Sequence, residues 1–261
     1  MERHLEIVLA KTESDADVTL KTAMVAVGAI KKFRTAAQTG NLRELRKTIE
    51  TAEQAITALL QQFANAKKGW DIDEEAYLSG KQFLAEILET AAQMGVKIFE
   101  QDDRLYCYPL LIRVLSNERA ILIDKVREKR LRPSVLISHL KDLQSRPVRF
   151  KSEVFLSSLY DAYSIAVATR SKNLVNSSVV VPLREIYDLL TLLPGQSREY
   201  SRQEFARDIY LLDQSRITQT KKGSVVSLPA STGTKSAAMT ITVITQDGHE
   251  KKYYGIAFAN G

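Results

Sequence analysis

The sequence predicts a mostly helical α+β protein made of two units, each a run of helices closed by a β-hairpin. Three observations lead there. Between Asn41 and Phe63 apolar residues recur at spacings of three and four, the period of one helix face. From Val96 to Ile123, and again after Arg216, the pattern changes to the two-residue alternation of strands, interrupted by short polar turns. Helical period returns between these stretches, from Ser152 to Arg216, so helices followed by strands occur twice in 261 residues. That length accommodates two domains. The pattern divides it into 1–123, a connector over 124–151, and 152–261.

Residues 1–13 carry no clear period and read as a strand or a loose arm. A helix follows from about residue 15 to 38, capped by Ser14 or Asp15, with Leu20, Ala23 or Met24, Val27, Ile30 and Phe33 as its apolar stripe. Gly40 suits the left-handed position that ends a helix, and Asn41 caps the next one. In that second helix Leu42, Leu45, Ile49, Ala52, Ile56, Leu59 and Phe63 form a heptad seam. The matching stripe before it favours an intramolecular antiparallel hairpin over a seam offered to another protein's coiled coil.

Lys67-Lys68-Gly69-Trp70 reads as a break. Asp71 or Asp73 then caps a helix to about residue 94, with Glu74 and Glu75 where the helix dipole favours them and Gly95 closing it. Two hairpins follow: 96–100 with 104–108, and 110–115 with 120–123. In the connector Pro133 opens a short helix.

The second unit begins with a helix over 152–169 and a brief β-branched run at 178–181. Pro182 opens a second helix that stops at Pro194-Gly195, and Ser201 with Glu204 forms the capping box of a third. Strands at 225–228 and 239–245 flank a loop, Ser231-Thr232-Gly233-Thr234. Helix, strand, helix, helix, strand, loop, strand is the order of a winged helix. The N-terminal half reads as a winged-helix-like unit with an enlarged β-part.

Composition bounds function. Apolar residues make up 44% and charged residues 26%, ordinary for a globular protein. A single cysteine, Cys107, excludes an intramolecular disulfide and suits a reducing compartment. The charged start, Glu2-Arg3-His4, does not fit a secretory signal, and no apolar run reaches membrane-spanning length. The expectation is a cytoplasmic protein with no membrane contact. The connector holds nine Lys and Arg against three Asp and Glu, a balance equal to the +6 of the whole chain.

No catalytic motif stands out. His4, His139 and His249 are scattered, Cys107 has no spaced partner, and no glycine-rich phosphate loop is present, so no metal and no cofactor are expected. Asp71, Asp73, Glu74 and Glu75 could hold a magnesium ion, but helix capping accounts for all four. The basic residues are the strongest functional signal. Lys125, Arg127, Lys129, Arg130, Arg132, Lys141, Arg146, Arg149 and Lys151 could track the phosphates of duplex DNA without sequence preference. Arg202 and Arg207 on the third helix, with Lys221, Lys222 and Lys235 near the wing, extend the set. The opposing reading is a solvated face, or pairing with the acidic 71–123 stretch.

Tandem units of this order, with the Leu42-to-Phe63 seam and the Ser201-Arg202-Gln203-Glu204 helix before its hairpin, resemble the accessory subunits of bacterial condensin-like (SMC-type) complexes and related plasmid- or phage-defence assemblies. The resemblance lies in the order of elements; it carries no motif, so no functional residue is transferred from it, and the basic connector departs from it. It implies a non-catalytic subunit that contacts DNA phosphates and other subunits, an SMC-type ATPase among them. The alternative is a pure protein–protein adapter. Leu42, Leu45, Ile49, Ile56, Leu59 and Phe63 are the partner-binding candidates, and a homodimer is one form such pairing could take.

Overall fold

A computed structural model describes residues 4–101, 104–146, 150–170, 179–229 and 240–260. The protein is mixed α+β and mostly helical. Two compact units comprise Met1–Met94, Val114–Leu122 and Val126–His139 in the first, and Gly95–Arg113, Ile123–Lys125 and Leu140–Gly261 in the second. The chain therefore passes between them repeatedly, where the sequence pattern suggests one basic connector.

The first unit opens with α1 (Leu5–Thr39) and α2 (Leu42–Gly69), an antiparallel pair. Gly40 ends α1 at φ 69°, and the Asn41 side chain accepts the Glu44 N–H, as the sequence predicts. Two expectations are corrected. Residues 5–14 are helix, and α2 continues through Lys67 and Lys68. The early start of α1 has a non-local cause: the Glu86 carboxylate accepts the N–H groups of Leu5 and Glu6 at 2.8 and 2.9 Å, satisfying donors that a helix leaves open at its N-terminus.

The helix predicted over 71–94 is two helices, α3 (Glu74–Ser79) and α4 (Lys81–Gln93). Gly80 separates them in an extended conformation, and a Cβ there would lie 3.1 Å from the Ala76 carbonyl oxygen. Asp73 caps α3, its carboxylate accepting the Ala76 N–H at 3.0 Å. Strands β1 (Phe99–Gln101), β2 (Arg104–Cys107), β3 (Leu110–Leu115), β4 (Ala120–Ile123) and β5 (Val126–Glu128) form one sheet in sequential order. Both predicted hairpins are there; β5 arises inside the stretch expected to be connector. Helix α5 (Pro133–Gln144) starts at the predicted proline.

The second unit contains α6 (Ser152–Arg170), β6 (Val181–Pro182), α7 (Leu183–Leu190), α8 (Gln196–Glu199) and α9 (Arg202–Ser215). The Ser201–Glu204 capping box is formed in both directions. Strands β7 (Ser224–Ser227), β8 (Ile241–Ile244), β9 (Glu250–Tyr253) and β10 (Gly255–Asn260) complete it. The predicted pairing of 225–228 with 239–245 is not formed. Instead β7 pairs with β10 in a sheet of order β6-β10-β7, and β8 pairs with β9. The central place of β10 follows from its composition: Gly255 to Phe258 are all buried, as a strand flanked on both sides requires. The local turn at Gly248, φ 85°, closes β8 onto β9. A Cβ on Gly248 would collide with the Phe99 ring. Leu156, Leu159, Ile186, Phe205, Ile209 and Ile256 are fully buried at the centre of this unit. The 231–234 loop lies outside the described residues.

Candidate interaction surfaces

The seam of α2 divides into two sets. Leu45, Ala52 and Leu59, seven residues apart, are half-buried or buried, while Leu42, Ile49, Ile56 and Phe63, also seven apart, are exposed. Small side chains explain the division. Ala26, Ala29 and Ala36 of α1 and Ala52 of α2 are buried. Alanines let two helices approach closely, which leaves longer side chains on either flank without a partner in the hairpin.

These flanks share one side of the hairpin. At about 100° per residue, Ile30 of α1 lies roughly a quarter turn from the buried alanine line and Val27 and Leu20 further round on the same flank, while Met24 lies about half a turn away, on the side of α1 opposite α2. Leu42, Ile49, Ile56 and Leu60 of α2 lie roughly a quarter turn from theirs in the same rotational sense. Because the helices are antiparallel, both stripes emerge on the same face. Leu20, Leu42, Leu60 and Phe63 are 55%, 76%, 65% and 60% exposed. The opposite flank of α2 carries Glu44, Thr51, Ala58 and Asn65. The 28 residues of α2 span about 42 Å, and two helices are about 20 Å wide, so the face covers roughly 800 Å². An exposed apolar stripe along such a face is a mark of an interaction surface. The sequence pattern singles out the α2 seam and gives α1 the matching stripe Leu20, Ala23 or Met24, Val27, Ile30 and Phe33; the structure corrects this, leaving Leu20, Met24, Val27 and Ile30 exposed, and it adds Leu60, which the pattern does not name. The small residues at 26, 29, 36 and 52 were the available signal.

The predicted phosphate-contacting residues are distributed over both units, with Arg127, Lys129, Arg130 and Arg132 in the first and Lys125, Lys141, Arg146, Lys151, Arg202, Arg207, Lys221 and Lys222 in the second. Three arginines of the former connector hold acids of their own unit. Arg127 Nε is 3.1 Å from Glu118, and Arg130 Nε donates to Glu128 at 3.0 Å. Arg132 joins α1 through Glu6 at 2.7 Å and Glu13 at 2.6 Å. Arg207, expected in a DNA groove, is 18% exposed and bound to Asp124 and Asp208 at 2.7 and 3.0 Å. Lys125, Lys129, Lys141, Arg146, Lys151, Arg202, Lys221 and Lys222 are exposed. Arg202 lies 5.7 Å from the Tyr187 ring centre and Lys222 5.9 Å from that of Tyr160. Arg149 and Lys235 lie outside the described residues.

Folding tunes two of the acids. Burial alone would raise the Glu6 pKa, but hydrogen bonds from the Ser134 N–H, Arg132 and the Ser134 hydroxyl outweigh it and hold the carboxyl below its ordinary value. The Glu128 carboxyl falls to about 2, chiefly through its hydrogen bond from Arg130. A depressed folded-state pKa contributes stability that is complete above the unfolded value of about 4.3 and is lost as pH falls through the folded value. Urea midpoints are therefore expected to fall on acidification below about pH 4.3, and to fall less steeply in a Glu6→Gln variant, which has no carboxyl to titrate there.

Residues with catalytic potential have other roles. Burial pushes the Cys107 thiol up to about 12, which removes the thiolate at neutral pH. Asp73 caps α3, Glu74 pairs with Arg119, and among the described residues no group of three or more His, Cys, Asp or Glu converges to hold a metal. His139 lies 3.6 Å from Glu128. Among the described residues, no helix is long and apolar enough to cross a membrane. Comparisons with protein-family models, curated proteins and solved structures found no match to this chain.

Proposed function

We propose that the chain is a non-catalytic adapter subunit of a multi-protein assembly, and that the open face of the α1–α2 hairpin docks amphipathic helices of a protein partner. The observation that supports this is the exposed apolar stripe on both helices of one face. A layer of two helices with one apolar side is half of a four-helix bundle, and burying the other side requires helices with a matching stripe. The helices followed by a β6-β10-β7 sheet in the second unit fit a winged-helix-like module. Membership of a condensin-like or defence assembly belongs to the same proposal.

A photo-reactive residue placed at Leu60 in the cell of origin tests the adapter reading. Crosslinking to protein is expected from position 60 and not from Thr51 on the opposite flank. Equal or absent crosslinking at both positions would remove the basis for it.

Contact with DNA phosphates is the second reading, and the exposed lysines at 125, 129, 221 and 222 favour it. The ion pairs of Arg127 and Arg130 do not block it, since exposed pairs are worth about 0–1 kcal/mol. The adapter reading expects duplex-DNA anisotropy to stay flat between about 50 and 200 mM salt. A steep salt dependence, lost when the four lysines are changed to Ala, would favour the second reading. Arg132 is left unchanged in that variant because it ties α5 to α1.

A further inference from the structure

Three arginines are half-buried among the described residues: Arg104, Arg132 and Arg207. Taking a guanidinium out of water costs free energy unless anionic partners replace the lost solvent. Arg132 holds Glu6 and Glu13, and Arg207 holds Asp124 and Asp208. Arg104 holds no acid among the described residues. It opens β2 and lines an open cleft of about 670 Å³, whose other walls are the C-terminal end of α7, α8 and the start of α9. Small-molecule sites have volumes of about 300–1,000 Å³.

Arg202 lines the same cleft and, among the described residues, is also without an acid. Both arginines belong to the second unit. The Arg202 guanidinium carbon lies 5.7 Å from the centre of the Tyr187 ring. Tyr187 is 4% exposed, and its hydroxyl donates to the Tyr200 carbonyl at 2.8 Å. A fixed aromatic face thus steadies the guanidinium while leaving its N–H donors open. Two guanidinium groups brought to one cleft from β2 and α9 suit a doubly charged anion, because their planar forks match the oxygens of a phosphate.

One further charge lines the cleft, the exposed carboxylate of Asp188, and it pairs with neither arginine. A phosphate beside Asp188 would be repelled, so the charged end of a ligand belongs at the arginines. An ionised carboxylate only accepts hydrogen bonds, so the part of the ligand facing Asp188 must be uncharged and carry donors such as hydroxyls. Ser197 and Gln203 add neutral polar groups to the same lining. We propose that this cleft binds a small sugar phosphate, with its phosphate on Arg104 and Arg202 and its hydroxyls on Asp188. The site lies within the second unit and is independent of the hairpin face and of the adapter reading.

Titration calorimetry on the full chain tests it, with ribose 5-phosphate, ribose and inorganic phosphate as probes. Ribose 5-phosphate is expected to bind saturably with a Kd below about 1 mM, inorganic phosphate at least tenfold more weakly, and ribose not at all. R104A and R202A are each expected to weaken ribose 5-phosphate at least tenfold, since each removes charge-assisted hydrogen bonds to the phosphate. D188N should weaken ribose 5-phosphate yet leave inorganic phosphate bound as tightly as in the parent or more so, a split that a general loss of structure would not produce. Thermal melts identify any variant that unfolds; Arg202 is exposed, so R202A carries the test even where R104A is destabilised. No saturable binding of ribose 5-phosphate up to about 10 mM would overturn the proposal, and so would binding unchanged in R202A. Inorganic phosphate binding as tightly as ribose 5-phosphate would overturn the sugar assignment. Displacement of ribose 5-phosphate by a short DNA duplex would assign the phosphate contact to nucleic acid and overturn the small ligand.

Discussion

A Glu86→Ala variant is expected to lose at least about 3 kcal/mol of stability, because two or three buried donors would lose their acceptor at about 1–3 kcal/mol each. Glu86 is 4% exposed. Its Oε2 accepts the Leu5 N–H at 2.8 Å and the Tyr77 hydroxyl in a short hydrogen bond, and its Oε1 accepts the Glu6 N–H at 2.9 Å. The carboxylate is thus the N-terminal cap of α1, delivered from α4. A negative group at this end of a helix also meets the favourable pole of the helix dipole. Removing it would leave the donors of the first turn without partners, and the turn would fray. Glu86→Gln keeps the shape but replaces one acceptor oxygen with an NH₂ facing an N–H donor, so an intermediate loss is expected. Tyr77→Phe removes one donor along with its bond and should cost about 1 kcal/mol. Urea midpoints would rank the three variants, and amide exchange at residues 5–9 should accelerate most in Glu86→Ala. An Ala variant within about 0.5 kcal/mol of the parent, the range of a neutral surface change, would refute the capping role.

This cap shows why part of the fold is legible in the sequence and part is not. Asn41, Asp73, Pro133, Gly40 and the Ser201–Glu204 box act on backbone within a few residues of themselves, and the sequence identifies each of them, Asp73 as one of two alternatives with Asp71. The start of α1 depends on a residue 81 positions away, so residues 5–14 carry no local sign of it. Strand partnership is equally non-local. The alternation at 225–228 marks a strand, but β10, which claims its edge, lies about thirty residues on. The α2 seam is legible as a list of apolar positions. Which of them turn inward is decided by the alanines of both helices, through distances that periodicity alone does not report.

Arg207 is the clearest case of a residue whose charge suggests one role and whose surroundings give it another. Burial works against a charged guanidinium, yet Asp208 and Asp124 more than offset this and hold its pKa above the ordinary arginine value. The Asp208 carboxylate is 13% exposed and also accepts the Tyr200 hydroxyl at 2.8 Å. Asp124, at φ 51°, exchanges hydrogen bonds with Leu111: its N–H donates to the Leu111 carbonyl at 2.7 Å, and its carboxylate accepts the Leu111 N–H at 3.1 Å. Arg207 therefore ties α9 to the turn between β4 and β5. Arg207→Ala would strand the Asp208 charge in a poorly solvated place, and a loss of about 3–5 kcal/mol is expected. Arg207→Lys keeps the charge but not the two-armed geometry and should recover only part of it. Pairing Arg207→Ala with Asp208→Ala isolates the interaction: the double variant is expected to be more stable than the sum of the single losses allows, by about 1–3 kcal/mol. A single variant that unfolds with the parent would free Arg207 for a role at the surface. A single variant that loses stability without any coupling in the double would place the cost in lost packing of the arginine stem.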